Sequence, residues 1–218
     1  MIIFVESSNV YGWGIWEMMF FLGTAFIIDS LHMIFFYFNI VDIPRTVRTG
    51  ELDLILLKPA SSKFLLSLKR LNFSSVASLM FGIVMVIASY YNLNTNASFL
   101  IILLYLGFIC NGVMIMYSIL FSCAILSIHF LKTEGLIEVF FEIFQFGMKP
   151  EMIYGYGLRM IITYIIPVIV IVNFPVILII EGFSLRNFLW GFMITILMIL
   201  GSSMLWKNSL KKYTSASS

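Results

Sequence analysis

The sequence predicts an all-α, polytopic integral membrane protein with about five transmembrane helices, and three observations lead to this fold class. Of the 218 residues, 61% are hydrophobic and only 11% are charged, whereas soluble domains carry about 25% charged residues. The mean hydropathy is +1.03. The apolar runs are continuous and do not alternate at every second residue, so a transmembrane barrel is not expected. This composition excludes the soluble enzyme classes.

Four apolar segments are long enough to cross a bilayer, because a helical span needs about 20 mainly apolar residues. A fifth crossing falls within residues 133–182, where an amphipathic helix precedes a very apolar segment that contains Pro167 and Pro175. Either the helix, from Glu134 to Lys149, crosses and the second segment dips back from the far side, or the second segment crosses and the helix lies at the surface. The four clear spans are residues 16–41, 75–91, 98–128 and 187–206.

Basic residues predict the orientation, because cytoplasmic loops are rich in Lys and Arg. Six Lys and Arg residues fall within residues 42–72 and three within the tail, residues 207–218, so both segments are expected to be cytoplasmic. The loop at residues 92–97 has none, which fits the opposite side. The prediction is therefore a single multi-pass domain, residues 1–218, in a bacterial cell membrane, with its amino terminus outside.

Residues 42–72, called the polar connection below, are far more polar than the segments on either side. Asp42 is expected to cap a short helix with Pro44 in its first turn, and Gly50 is expected to end that helix. Pro59 should end the next apolar turn, after which Ser61 or the following serine starts another helix.

The polar connection is expected to lie on the membrane surface as an amphipathic segment. One side would face lipid through Leu52, Ile55 and Leu56. The other side would be exposed to a partner through Arg45, Arg48, Glu51 and Asp53. A basic loop that binds anionic lipid headgroups is the alternative interpretation.

The motif in the polar connection resembles that of the permease subunits of ABC-2 type ATP-binding-cassette transporters. Trp16 and Glu17, Gly23, and FFYFN ending at Asn39 precede the sequence IPRTVRTGELDLILLKP. Two later segments, FFEIFQFGMKPEMIY and IIPVIVIVNFPVIL, are similar to the same branch of the family. The central motif consists of Arg48, Gly50, Leu52, Asp53, Leu56, Leu57 and Pro59.

This resemblance implies a six-helix permease fold, of which the chain is expected to lack the first helix. It also implies that the polar connection couples to a separate ATPase subunit, and that a second permease chain, identical or different, completes the transporter. The coupling residues carried over in this way are Arg45, Arg48, Gly50, Glu51, Asp53 and Lys58. The sequence contains no G-x-x-x-x-G-K-[ST] phosphate-binding loop, so the chain is expected not to be an enzyme, and ATP would be used by the partner.

A polar stripe marks the amphipathic helix, because Glu134, Glu138, Glu142, Gln145 and Lys149 recur at spacings of four, four, three and four. If the helix crosses, its carboxylates face a protein interior or a water-filled lumen and favour a cationic permeant. If it lies at the surface, the stripe is its hydrated side. The resemblance favours crossing, with Glu134, Glu138, Glu142 and Gln145 facing the lumen.

Other polar residues in the apolar segments are few. Asp29 and His32 are three residues apart and are expected to form a hydrogen-bonded structural pair. Cys110 and Cys123 have no clustered His or Cys around them, so no metal site is expected. The net charge of +2 predicts no nucleic-acid partner.

Two other functions remain open at the level of sequence. A stand-alone secondary transporter or channel would need ionisable groups near the middle of the bilayer and, commonly, repeated halves. A non-transporting assembly or immunity factor would use its helices to sequester a partner. The substrate cannot be deduced, because it depends on which helix faces meet.

Overall fold

The computed structural model describes residues 13–93, 95, 97–130 and 133–213. The described part is almost wholly helical, which confirms the all-α prediction. A π-helical turn, Met33–Tyr37, joins the first two helices, and 3-10 turns, Phe73–Ser75 and Glu151–Ile153, precede two later ones. The helices are α1 (Ile15–His32), α2 (Phe38–Val41), α3 (Ile43–Arg48), α4 (Glu51–Leu56), α5 (Ser62–Ser67), α6 (Val76–Asn92), α7 (Phe99–Phe130), α8 (Thr133–Gly147), α9 (Tyr156–Tyr164), α10 (Val168–Ile180) and α11 (Leu185–Lys212).

The four predicted spans are confirmed by four long apolar helical segments among the described residues. Two of these segments are central: 56% of the span that contains α1 and 44% of the span in α7 are buried. The spans of α6 and α11 are only 11% and 22% buried. Apolar helix faces exposed over this length are the faces that lipid covers in a membrane protein. They include Met80, Phe81 and Val84 on α6 and Leu197, Leu200 and Met204 on α11.

Aromatic contacts along α7 define the two ends of the bundle. Near the beginning of α7, the ring centroid of Phe108 lies 6.3 Å from that of Phe188 in α11. Further along, Phe121 lies 5.9 Å from Trp206, so α7 and α11 run in the same direction. Trp206 Nε1 donates to Ser62 Oγ in the polar connection at 3.1 Å. We call this the connection end and the other end the far end.

Helix α10 is a wedge in the centre of the bundle, with every residue from Val168 to Ile179 buried. It packs against α1, α7 and α8. Pro175 lies inside it and has no N–H, so the carbonyl of Ile171 lacks its usual helical donor. A Cβ on Gly112 of α7 would lie 2.7 Å from that carbonyl oxygen. The wedge is therefore seated on a position of α7 that requires glycine.

Contacts around residue 151 determine the path of residues 133–182. The backbone N–H of Glu151 donates to Asn173 Oδ1 in α10 at 2.8 Å. Glu151 also lines a cavity with Arg186 and Asn187. These two residues lie in the first turn of α11, at the far end. The chain therefore passes from the connection end to the far end through α8. Helix α9 begins at the far end, and α10, bent by 97° relative to α9, ends there. This is the first of the two predicted paths, in which the second segment dips back from the far side.

Helix α8 is shorter than predicted, because it ends at Gly147 and leaves Lys149 outside the helix. A Cβ on Gly147 would lie 2.5 Å from the carbonyl oxygen of Val168. The end of α8 therefore lies in close contact with the wedge, and Pro150 disfavours a helical backbone at Lys149.

Candidate functional site

The helices of the polar connection begin and end close to the predicted proline, glycine and serine residues. Pro44 lies in the first turn of α3, and α4 ends at Leu56, shortly before Pro59. Between α3 and α4, Gly50 has a φ of 75°, a left-handed conformation in which side chains with a Cβ are strained. Helix α5 begins at Ser62. These predictions are confirmed.

The prediction that Asp42 caps α3 is wrong, because its side chain makes no capping hydrogen bond. Its backbone is helical, with φ −80° and ψ −12°, whereas a capping residue needs an extended backbone. The carboxylate instead accepts two hydrogen bonds from Arg45, at 2.7 Å from Nε and 3.1 Å from Nη2. Asp42 therefore forms an ion pair with Arg45 and does not cap the helix.

Arg45 continues this ion pair into a network. Its Nη1 donates to Glu51 Oε1 at 3.1 Å, and Lys69 Nζ lies 3.7 Å from Glu51 Oε2. The network joins α3, α4 and the segment after α5. Of the predicted coupling residues, Arg45 and Glu51 are thus accessible but already paired within the chain, and they hold the short helices in one arrangement.

The predicted lipid-facing side of α4 is wrong for two of its three residues. Leu52 is 1% exposed and Ile55 is 9% exposed, and both belong to the core. The reason is that α4 packs against α3 and α5 and buries this side within the protein. Leu54 and Leu57 are instead 66% and 82% exposed.

Exposed leucines and basic residues lie on and beside α4. Arg48 precedes the helix and is exposed, and Lys58 follows it and is exposed. Asp53 is half-buried. We call Arg48, Leu54, Leu57 and Lys58 the α4 surface. It combines large apolar side chains with positive charge, a composition found both in protein docking sites and in segments that lie on anionic membranes.

A buried amide latches the polar connection to α2. Asn39 is 4% exposed, and its Nδ2 donates to the carbonyls of Ser67 at 3.2 Å and Arg70 at 2.8 Å. Its Oδ1 accepts from the backbone N–H of Arg70 at 3.2 Å. In the sequence, Asn39 stood out only as the end of FFYFN. A single amide side chain at the end of an apolar span could have indicated such a latch, because buried polar groups are normally hydrogen-bonded.

A second latch joins α5 to α7 and α11 through Lys63. Its Nζ donates to Ser202 Oγ and Ser203 Oγ, each at 2.8 Å. The same ammonium lies 4.8 Å from the ring centroid of Phe121 and 5.4 Å from that of Tyr117, within cation–π range. Lys63 therefore joins the polar connection to two long helices through these contacts. From the sequence, Lys63 was expected only to contribute to the basic charge that predicts the orientation.

Burial lowers the pKa of the Lys63 ammonium to about 8, from its ordinary value of 10.5. Between these values the unfolded chain binds the proton that the folded chain has released, so the free energy of unfolding should increase with pH. Lys63→Met should lose this increase between about pH 8 and 10.5, as measured by denaturation in detergent. The effect should be small, because the side chain is partly exposed. Equal pH dependence of wild type and variant would contradict it.

The polar stripe of α8 is only partly described. Glu138, Glu142 and Gln145 are exposed on the helix. The side chain of Glu134 lies outside the described residues, and the lumen-facing position of all four residues stays a prediction.

The predicted hydrogen-bonded pair of Asp29 and His32 is wrong. Neither ring nitrogen of His32 has a hydrogen-bond partner among the described residues. The ring packs instead among aromatic side chains, with its centroid 6.0 Å from Phe140 and 6.4 Å from Tyr37. The imidazole therefore makes a tertiary contact with α8 instead of a hydrogen bond with Asp29.

The family comparison covers both the bundle and its polar connection. A family model described as "ABC-2 family transporter protein" matches residues 1–217. The chain belongs to the ABC-2 transporter family. No curated protein and no solved structure gives a match. The resemblance inferred from the motif is thereby confirmed, and this ABC-2 permease is a multi-pass membrane component of a transport system.

Proposed function

We propose that this ABC-2 permease is the membrane subunit of an exporter and that a separate ATPase subunit drives it by binding the α4 surface. The observation that carries the proposal is the exposure of Leu54 and Leu57, at 66% and 82%, beside two exposed basic residues. The density of Lys and Arg in residues 42–72 and 207–218 supports a cytoplasmic position for both segments, in a bacterial cell membrane.

The contacts of the polar connection provide a route from the α4 surface to the spans. Helix α4 packs on α5, and α5 is held to α7 and α11 by Lys63 and to α2 by Asn39. Movement of α4 would therefore reach the long helices α7 and α11 and, through the short helix α2, the span that begins with α1. An ATPase that binds one arrangement of α4 more tightly than another shifts the permease between inward-open and outward-open states.

The transport path in this proposal runs between two permease chains along α8. Glu138, Glu142 and Gln145 are exposed in a single chain, and carboxylates within a membrane domain commonly line a water-filled path. With Glu134 they would favour a cationic permeant. The second permease chain, identical or different, would cover this face, and ATP would be bound by the partner subunit alone.

Charge reversal tests the α4 surface. The double variant Arg48→Glu, Lys58→Glu should lower the affinity for the ATPase subunit by about tenfold or more, because like charges would replace complementary ones. Co-purification and permeant-stimulated ATP hydrolysis measure the effect. Both residues are exposed, so the melting temperature should change little.

Lys149→Glu is the matched control, since Lys149 is also exposed but lies after α8, outside the polar connection. It should leave ATPase binding unchanged. Unchanged ATPase binding in the double variant would remove the α4 surface from the proposal. Ion-driven uptake in membranes from which no ATPase subunit can be recovered would favour a secondary transporter instead.

A further inference from the structure

A polar cavity of about 470 Å³ opens at the far end, between α9 and the start of α11. Its lining includes Glu151, Arg159, Thr163, Arg186 and Asn187. The cavity is separate from the polar connection, and nothing in the proposed ATPase coupling uses it. Its volume falls within the range of about 300–1,000 Å³ that suits small ligands.

The lining of the cavity carries excess positive charge. Arg159 forms an ion pair with Glu151, and Glu151 is only 9% exposed. Burial raises the pKa of the Glu151 carboxyl, the positive charges of Arg159 and Arg186 oppose that shift, and the negative charge of Glu181, which is outside the lining, adds to it. Arg186 lines the same cavity and has no ion pair with another described residue. Two guanidinium groups thus face one carboxylate.

A buried hydroxyl in the cavity wall lacks a partner. Thr163 is 8% exposed, and its Oγ1 has no hydrogen bond within the described part of the chain. Its backbone is held in place, because its carbonyl accepts from Trp190 Nε1 at 3.2 Å. A buried polar group without a partner costs about 1–3 kcal/mol. Rotation of the Thr163 side chain toward the cavity would let an acceptor on a ligand remove that cost.

An apolar surface adjoins the cavity along α9. Leu158, Ile161 and Ile165 are 42%, 45% and 70% exposed, while Arg159 and Thr163 of the same helix line the cavity. One short helix therefore presents polar groups to the cavity and aliphatic groups to its surroundings. A ligand that matches both sides is an anionic amphiphile.

We propose that the far-end cavity binds the phosphodiester headgroup of an anionic phospholipid, with Arg186 and Thr163 as its ligands and the acyl chains along α9. The planar guanidinium of arginine matches phosphate oxygens in geometry and charge. The guanidinium of Arg186, which forms no ion pair with another described residue, favours an anionic headgroup, such as that of phosphatidylglycerol, over a zwitterionic one. A soluble phosphodiester shares this chemistry and is separated from the lipid by the experiment.

Native mass spectrometry of the full-length protein in detergent tests the site with three probes: phosphatidylglycerol, phosphatidylcholine and glycerophosphoglycerol, which is the same headgroup without chains. Wild type should retain phosphatidylglycerol in preference to phosphatidylcholine. Arg186→Gln should weaken retention of phosphatidylglycerol by about tenfold, because a charge-assisted contact is lost. Lys207→Gln, an exposed position near the connection end, is the charge-matched control and should have no effect.

Thr163→Val separates binding from folding. It removes an unpartnered hydroxyl, so the lipid-free melting temperature should not fall, whereas the affinity for phosphatidylglycerol should fall by about fivefold. If glycerophosphoglycerol binds and loses affinity in Arg186→Gln while the lipid does not, the ligand is a soluble phosphodiester and the lipid assignment is overturned. Equal affinity of wild type and Arg186→Gln for all three probes overturns the site itself.

Discussion

Asn39→Leu should detach the polar connection from the spans and abolish permeant stimulation of the partner ATPase. The substitution keeps the size of the side chain but removes the partners of the Ser67 carbonyl and of both backbone groups of Arg70. Leaving such groups unpaired should lower the free energy of unfolding by about 2–4 kcal/mol. ATP hydrolysis of the purified complex, with and without permeant, measures the coupling.

Asn92→Leu is the matched control for this substitution. Asn92 also donates its Nδ2 to a carbonyl four residues earlier, that of Ala88, but it is exposed at the end of α6. It should change the melting temperature little and leave stimulation intact. If Asn39→Leu destabilised the protein yet retained full stimulation, the latch would be structural only, and coupling would follow another route.

Gly112→Ala should be among the most destabilising single substitutions in the bundle. The added Cβ would lie 2.7 Å from the carbonyl oxygen of Ile171 and 3.3 Å from the side chains of Ile28 and Ile171. Backbone of the buried wedge cannot yield as a side-chain tip can, so we expect a loss of about 2–3 kcal/mol. Thermal unfolding in detergent measures the loss.

Gly107→Ala, in the same helix, is the control. Its Cβ would meet only Phe192, at 3.8 Å, and alanine is favoured over glycine in a helix by about 0.8–1.0 kcal/mol. The two substitutions should therefore act in opposite directions. Equal melting temperatures for Gly112→Ala and wild type would show that the wedge shifts to accommodate the methyl group.

Local signals predicted the elements of the fold well. Continuous hydrophobicity located the spans to within a few residues, since residues 75–91 became Val76–Asn92. Pro44, Gly50 and Pro59 divided the polar connection correctly, because proline and glycine restrict the backbone wherever they occur. The family motif lies in this same short segment, so local sequence was enough to find it.

Side-chain environments at the candidate site depended on contacts between distant residues. Lys63 meets Ser202 across 139 residues, and Asn39 meets Arg70 across 31. A single sequence does not specify which helix faces meet, so Leu52 was assigned to lipid although it packs inside the protein. Asp42 was misassigned for a related reason, because the choice between capping and ion pairing depended on the helical backbone that leads into α3.

Helix α10 shows that apolar character need not serve contact with the membrane. Its 13 residues extend about 20 Å, well short of a hydrocarbon core about 30 Å thick. Protein surrounds it on nearly every side. The thickness of the bilayer must therefore be matched by the apolar outer faces of α6 and α11. A thicker or thinner membrane would be matched by the tilt of these peripheral helices, while the centre of the molecule keeps its packing.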